Sequence, residues 1–347
     1  MAEIALRAQP ETGRAATRVP TGVVILVLAV LTVLLCLTSL AIGSRNLTLE
    51  ELASVFVPGE RTMASIIVWQ LRMPRTVLAV MVGAALAVAG VVMQGLTRNP
   101  LAEPGILGIN AGASLSVVLS MSLLGLTDVS DFLWFAFAGA ALAAFLVHLM
   151  SVRSADAGPA RLVLAGVALG ASLRSITGTV TMYDSVTFDS YRFWVLGSLA
   201  DRDAELLVWV APFLVVGLVM ALGSGLTLNA LALGEEQAKA LGVSPRRARA
   251  LALTSITLLC GASTAVVGPI SFIGLVVPHV LRLALGADQR KLLAVSVVAG
   301  PVLLLAADIL GRVILDTGEM EAGVVTAFIG GPVLLLMVIQ RMGVRGR

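Results

Sequence analysis

The chain reads as an all-α polytopic membrane protein, and three features of its 347 residues carry that reading. Hydrophobic residues make up 58 % and charged residues only 13 %, more apolar surface than a water-soluble globule can bury. Uncharged stretches of about 20 residues, the length a helix needs to cross the hydrocarbon core, recur from end to end. Basic residues gather in alternate connections between those stretches, as expected where Lys and Arg are held on the cytoplasmic side. With no low-complexity stretch and no dividing linker, residues 21–347 are expected to form one transmembrane domain behind a polar tail, 1–20.

Ten spans are expected. The first, 21–43, is uncharged for longer than the about 7 to 15 residues of a signal-peptide core, so a retained helix is expected. The second, 76–97, carries Gly83, Ala87 and Gly90 at helical spacing, small residues that let backbones approach closely in lipid. Gly108 and Gly112 do the same in the third, 105–125, and Gly166 and Gly170 in the fifth, 161–182, which also holds Arg174. The fourth covers 132–151, the sixth 205–223 and the seventh 248–268. The eighth, 271–286, is short and contains Pro278 and His279; the ninth, 292–315, carries Asp308 and Arg312 toward its end; the tenth covers 322–340. With the N-terminus inside, inner segments hold 16 basic residues and outer segments 7, while acidic residues distribute 7 inside and 13 outside. Both termini are then cytoplasmic, and 224–247 is the largest inner connection.

That connection contains "LALGEEQAKALGV", a polar helix between apolar runs. A short amphipathic helix can lay its apolar residues, here Leu233, Ala238, Leu241 and Val243, in a groove on a partner, with Glu235, Glu236 and Lys239 hydrated. Gly242 is placed to stop it. The other reading of the segment is a helix lying on the membrane surface.

The chemistry is negative throughout. No G-x-x-x-x-G-K-[ST] loop is present to cradle ATP, and Lys239 and Lys291 are the only lysines. His148 and His279 belong to no H-E-x-x-H motif, and no Ser-His-Asp or G-x-S-x-G pattern occurs. Cys36 and Cys260 lie in apolar runs and read as packing residues. No catalytic residue, metal site, cofactor or nucleic-acid partner is therefore expected for this chain. Ionisable residues within spans are few, Arg174, Asp308 and Arg312, which is thin machinery for ion coupling and favours an external motor over an ion-coupled secondary transporter.

The stretch "QLRMPRTVLAVMVGAALAVAGVVMQGLTRNPLAEPGILGINAGAS" (70–114) resembles the signature of the iron-siderophore and vitamin B12 permease family of ABC importers. "RLVLAGVALG", "FWVLGSL", "LALGEEQAKALGV", "VVGPISFIGLVVPHVLRL", "LLLAADILGRVI" and "GVVTAFIGGPVL" follow in collinear order, so the resemblance covers about residues 20 to 342. The chain looks most similar to permeases of the ferric-enterobactin type; vitamin B12 or haem importers are the alternative within the family. The resemblance implies a type II ABC importer permease fold of ten helices, in the cytoplasmic (inner) membrane. It implies a second permease subunit, identical or paralogous, two ABC ATPase subunits that bind ATP and Mg, and an extracytoplasmic siderophore-binding protein. By the same resemblance Leu233, Gly234, Glu235, Glu236, Ala238, Leu241 and Gly242 form the coupling helix that meets the ATPase. Arg72, Arg75 and Arg312 match arginines that pair with glutamates of the binding protein, and guanidinium binds carboxylate in a two-pronged, orienting way. Asn99 and Leu101 match the cytoplasmic gate. Pro159 and Ala160 stand where the better-known B12 member carries small hydroxyl residues. Arg174 and Thr177, with Thr179 and Thr181, either line the path or are buried among neighbouring helices.

Overall fold

The computed structural model describes residues 20–43, 45–55, 57, 62–152, 159–315 and 318–345, and of residues 49, 151, 152, 159 and 340–345 the backbone alone. Among the described residues the regular structure is entirely helical. Helix α1 (Thr21–Ala41) starts directly after Pro20 and is followed by the short α2 (Leu49–Ser54) and α3 (Met63–Ile66). A π-helical turn (Ile67–Arg72) joins α3 to α4 (Met73–Thr97), and a 3-10 turn (Pro104–Leu107) precedes α5 (Ile109–Leu124). Then come α6 (Val129–Val152), α7 (Pro159–Tyr183), α8 (Ser185–Val195), α9 (Ala204–Gly223), α10 (Gly225–Ala232) and α11 (Glu235–Ala240). The series ends with α12 (Pro245–Val267), α13 (Ile273–Leu285), α14 (Gln289–Val313) and α15 (Ala322–Arg345).

The boundaries have local causes. Thr48 and Glu51 form a reciprocal capping box at α2, with Thr48 N donating to Glu51 Oε2 at 2.9 Å and Glu51 N to Thr48 Oγ1 at 3.2 Å. Asp184 caps α8 by accepting from Thr187 N at 3.1 Å, and its carboxyl is held below the usual range first by the Thr187 hydroxyl. Helix α5 is entered through Gly108 at φ 75°, a left-handed conformation that costs glycine little.

Each of the ten expected spans finds a helix, but they are not equal. Among the described residues, eight helical segments are long and apolar enough to cross a membrane. The expected spans 105–125 and 271–286 are shorter helices, α5 with 16 residues and α13 with 13. The cause is local: Gly108 and the left-handed Phe272, φ 70°, break the backbone that hydropathy alone reads as continuous. The connections before α4 and between α7 and α9 also hold α2, α3 and α8, which the span count did not anticipate. The expected tail, 1–20, lies outside the described residues apart from Pro20.

Helix α4 is the axis of the molecule, buried continuously from Val82 to Thr97 and packed on α14, α12 and α13. Small residues make this possible. A Cβ on Gly83 would stand 2.8 Å from the Gly300 backbone, and one on Gly90 would overlap the Gly274 backbone, so α4 meets α14 and α13 main chain to main chain. Toward the outside, α1, α7, α9 and α15 expose Leu26, Leu164, Val208 and Phe328, as expected of helices bathed in lipid.

Candidate partner-docking faces

Two ends of the bundle carry the predicted site residues. At the first, the C-terminal ends of α1 and α14 meet the start of α4, and Arg72, Arg75 and Arg312 converge there. Asp308, fully buried, lies between two of them. Arg75 donates to it from Nη2 at 2.8 Å and from Nε at 3.0 Å, and Arg312 reaches it from Nη2 one helical turn away on α14. Two guanidiniums thus share one carboxylate, which offsets the cost of burying all three charges.

The terminal nitrogens of Arg312 and Arg72 are engaged as well, while Arg312 Nε is buried without a hydrogen-bond partner. Arg312 Nη1 donates to Ser39 O at 2.9 Å and to Ile42 O at 3.2 Å, and its Nη2 to Ser39 Oγ at 3.1 Å. The Ser39 hydroxyl lies 2.8 Å from Thr76 Oγ1, tying α1 to α4. Arg72 Nη1 donates to Leu40 O at 2.7 Å and Ala41 O at 2.8 Å, and its Nη2 to Arg45 O. Ser39 O, Leu40 O and Ala41 O belong to the last turn of α1, whose carbonyls lack an intrahelical partner, so Arg72 and Arg312 together cap α1. Of the three arginines matched by resemblance to docking arginines, Arg72 and Arg312 are each only 6 % exposed, with donors turned to the end of α1. Arg75 alone sends a donor outward, from Nη1 to Glu319 Oε2 at 2.6 Å. These groups border a cavity of about 420 Å³ with Gln70, Asp201, Arg202 and Asp203. Burial pulls Arg202 below the usual arginine range.

At the opposite end, α10 and α11 hang from α12 and α14. Asn229 on α10 donates to Asp288 Oδ1 at 2.8 Å and accepts from Gln289 N at 2.9 Å, fixing α10 to the start of α14. Helix α11 is entered through Gly234 at φ 123° and left through Gly242 at φ 79°, so Gly242 does stop it. Ala238 is fully buried against Ala230, Leu231 and Ala248, with Val243 packed on the same cluster. Ala238 and Val243, expected on the apolar side of this helix, pack here on their own chain and hold α11 in place. Glu235 pairs with Arg249 of α12, whereas Glu236 and Lys239 are exposed. What faces outward is Leu233, 64 % exposed, and Leu241, 63 % exposed, one at each end of α11.

The residues assigned to the path scatter more. Asn99 is exposed and its Oδ1 accepts from Leu101 N at 3.1 Å, while Leu101 packs beside Leu275, Val276 and Met337 of α13 and α15. Pro159 opens α7, its side chain outside the described residues, and Ala160 is exposed. Arg174 and Thr179 lie on the exposed side of α7, but Thr177 is buried, its hydroxyl donating to Leu173 O at 2.9 Å. Arg174 and Thr177, three residues apart and so neighbours around α7, lie on either side of the edge between its exposed and buried surfaces. Between α4 and α5, Glu103 accepts from Phe272 N at 2.5 Å and so joins the two broken backbones, a link sequence reading missed. Burial raises the Glu103 carboxyl above its usual range.

The FecCD transport family matches residues 31–340. The ferric enterobactin transport system permease protein of Escherichia coli (strain K12) is 44 % identical over 305 residues, 87 % of this chain and 91 % of that protein. The Fe(3+)-citrate import system permease protein of Bacillus subtilis (strain 168) is 38 % identical, covering 86 % and 89 %, and the hemin transport system permease protein of Yersinia pestis 38 %, covering 89 % and 94 %. A solved metal-chelate type ABC transporter in an inward-facing conformation superposes with a TM-score of 0.81 at 28 % identity, covering 92 % of this chain and 99 % of that one. With this breadth of match and this helical bundle, the chain belongs to the FecCD transport family and is an ABC importer permease, a multi-pass protein of the cytoplasmic membrane.

Proposed function

We propose that the chain forms, with a second permease subunit, the path by which an iron-siderophore complex enters the cell, fed by an extracytoplasmic binding protein and driven by two ATPase subunits. The substrate class is supported by the similarity to the ferric enterobactin permease. The observation that carries the assembly is the pair Leu233 and Leu241: two leucines, exposed at either end of a helix that buried contacts hold in place, form an apolar ledge whose complement is a groove on a partner. Glu236 and Lys239 between them favour a polar-rimmed contact. At the other end Arg75 is the guanidinium placed to take a partner's carboxylate. Asn99 and Leu101 are assigned to the gate and Arg174 to the path.

The test is uptake of an iron-55-labelled siderophore by proteoliposomes holding the permease, the ATPase and the binding protein. ATP-dependent accumulation of the ferric siderophore is expected. Accumulation of haem or vitamin B12 instead would replace the substrate, and uptake driven by a proton or sodium gradient without ATPase would replace the mechanism.

A further inference from the structure

The three outer arginines differ in what they have left to give. Arg72 spends its terminal nitrogens on the carbonyls of Leu40, Ala41 and Arg45, and Arg312 spends its own on Ser39, Ile42 and Asp308. Both guanidiniums are committed to the frame of the molecule. Arg75 is divided: Nε and Nη2 point inward to Asp308, whose side chain is 1 % exposed, and Nη1 points outward to Glu319 at 2.6 Å. Glu319 is 31 % exposed and follows α14 in the connection to α15. Its backbone is anchored, because Met320 N donates to Gly311 O at 2.9 Å. Its side chain is thus the part free to swing. Asp308 cannot leave Arg75 without unpairing two buried guanidiniums, whereas Glu319 would exchange Arg75 for water at small cost.

We propose that Glu319 is a built-in rival for a docking partner's carboxylate, occupying the one outward donor face of Arg75 until the partner displaces it. The inference rests on the reading of Arg75 as a docking residue. The cavity beside this pair, about 420 Å³, has room for an incoming carboxylate side chain. Its other charged borders are Arg45, Arg72, Asp201, Arg202, Asp203 and Arg312. Arg45 is already paired with Glu51 at 2.7 Å. Exchange of one carboxylate for another on the same nitrogen keeps Arg75 neutralised throughout, so a partner carrying a carboxylate is accepted while one offering an amide or a cation is not. The rival sets the affinity of docking rather than its geometry, because Asp308 keeps the guanidinium oriented whichever carboxylate lies outside.

The experiment titrates the purified solute-binding protein of the same transport system onto the full transporter in lipid nanodiscs. Glu319→Gln keeps the shape and removes the charge, so affinity should rise about two- to fivefold, the scale of a partly exposed ion pair. Arg75→Lys keeps a cation against Asp308 but loses the forked outward donor, so affinity should fall about tenfold or more. In the Arg75→Lys background Glu319→Gln should have no further effect. Unchanged affinity in Arg75→Lys would sink the docking reading and the inference with it. Weakened binding in Arg75→Lys together with unchanged or weaker binding in Glu319→Gln would overturn the rival alone and leave docking standing. Glu319→Gln leaves no buried charge unpaired, so its result decides the matter even if the arginine variant fails to fold.

Discussion

Asp308 holds two guanidiniums from helices distant in sequence, and its removal would strand both in a region with little water. Asp308→Asn is therefore expected to destabilise the fold by about 3 to 5 kcal/mol, the usual consequence of breaking a buried ion pair on one side. A fall of several degrees in the unfolding midpoint of the detergent-solubilised protein would register it; a wild-type midpoint would show that the arginines find other partners. The pair Asp308 and Arg312 was legible in the sequence, being one helical turn apart in "DILGR". Arg75 is 233 positions from Asp308, and nothing local announces that contact; it exists because α4 and α14 lie side by side. The role of Arg72 was hidden for another reason. Its partners are main-chain carbonyls at the end of α1, which no residue type encodes.

At the scale of elements, the small residues of α4 were read correctly as contact points, and the structure supplies their partners. Gly300 faces the Gly83 backbone so closely that even one methyl group would collide. Gly300→Ala should lower the yield of folded protein and its melting temperature, whereas Gly178→Ala on α7, with nothing within 4 Å of the new atom, should change neither. Equal behaviour of the two variants would mean that α4 and α14 separate easily. Helix starts respond to a different force. Asp288 accepts from Arg290 N at 3.0 Å as it caps α14, and the Asn229 side chain is the first cause holding its carboxyl below the usual range. A depressed folded-state pKa gives stability that is present above the unfolded value and lost as pH falls through the folded one. Asp288→Ala should cost about 1 kcal/mol near neutral pH, measured as a lowered midpoint, and the difference from wild type should shrink in strong acid. Hydropathy located the helices well but lengthened α5 and α13, because a left-handed residue interrupts a span without changing its composition.

Across the whole molecule, the two proposed partner faces lie at opposite ends of α4 and α14, helices of 25 residues each. Replacing Leu233 and Leu241 by Asp should abolish co-purification of the ATPase and ATP-dependent uptake while leaving the melting temperature of the permease unchanged, since both side chains are already exposed. Ala238→Asp should instead damage the permease itself, because that position is sealed against α10 and α12. Retained ATPase binding in the double leucine variant would move the docking face elsewhere. The bare backbone contacts of α4 have a mechanical consequence. Where main chains touch without side chains between them, a shift of one residue drives a carbonyl into its neighbour, so α4, α13 and α14 have one seating and no second notch. Motion during a transport cycle is therefore expected to carry these three helices together rather than to slide one past another.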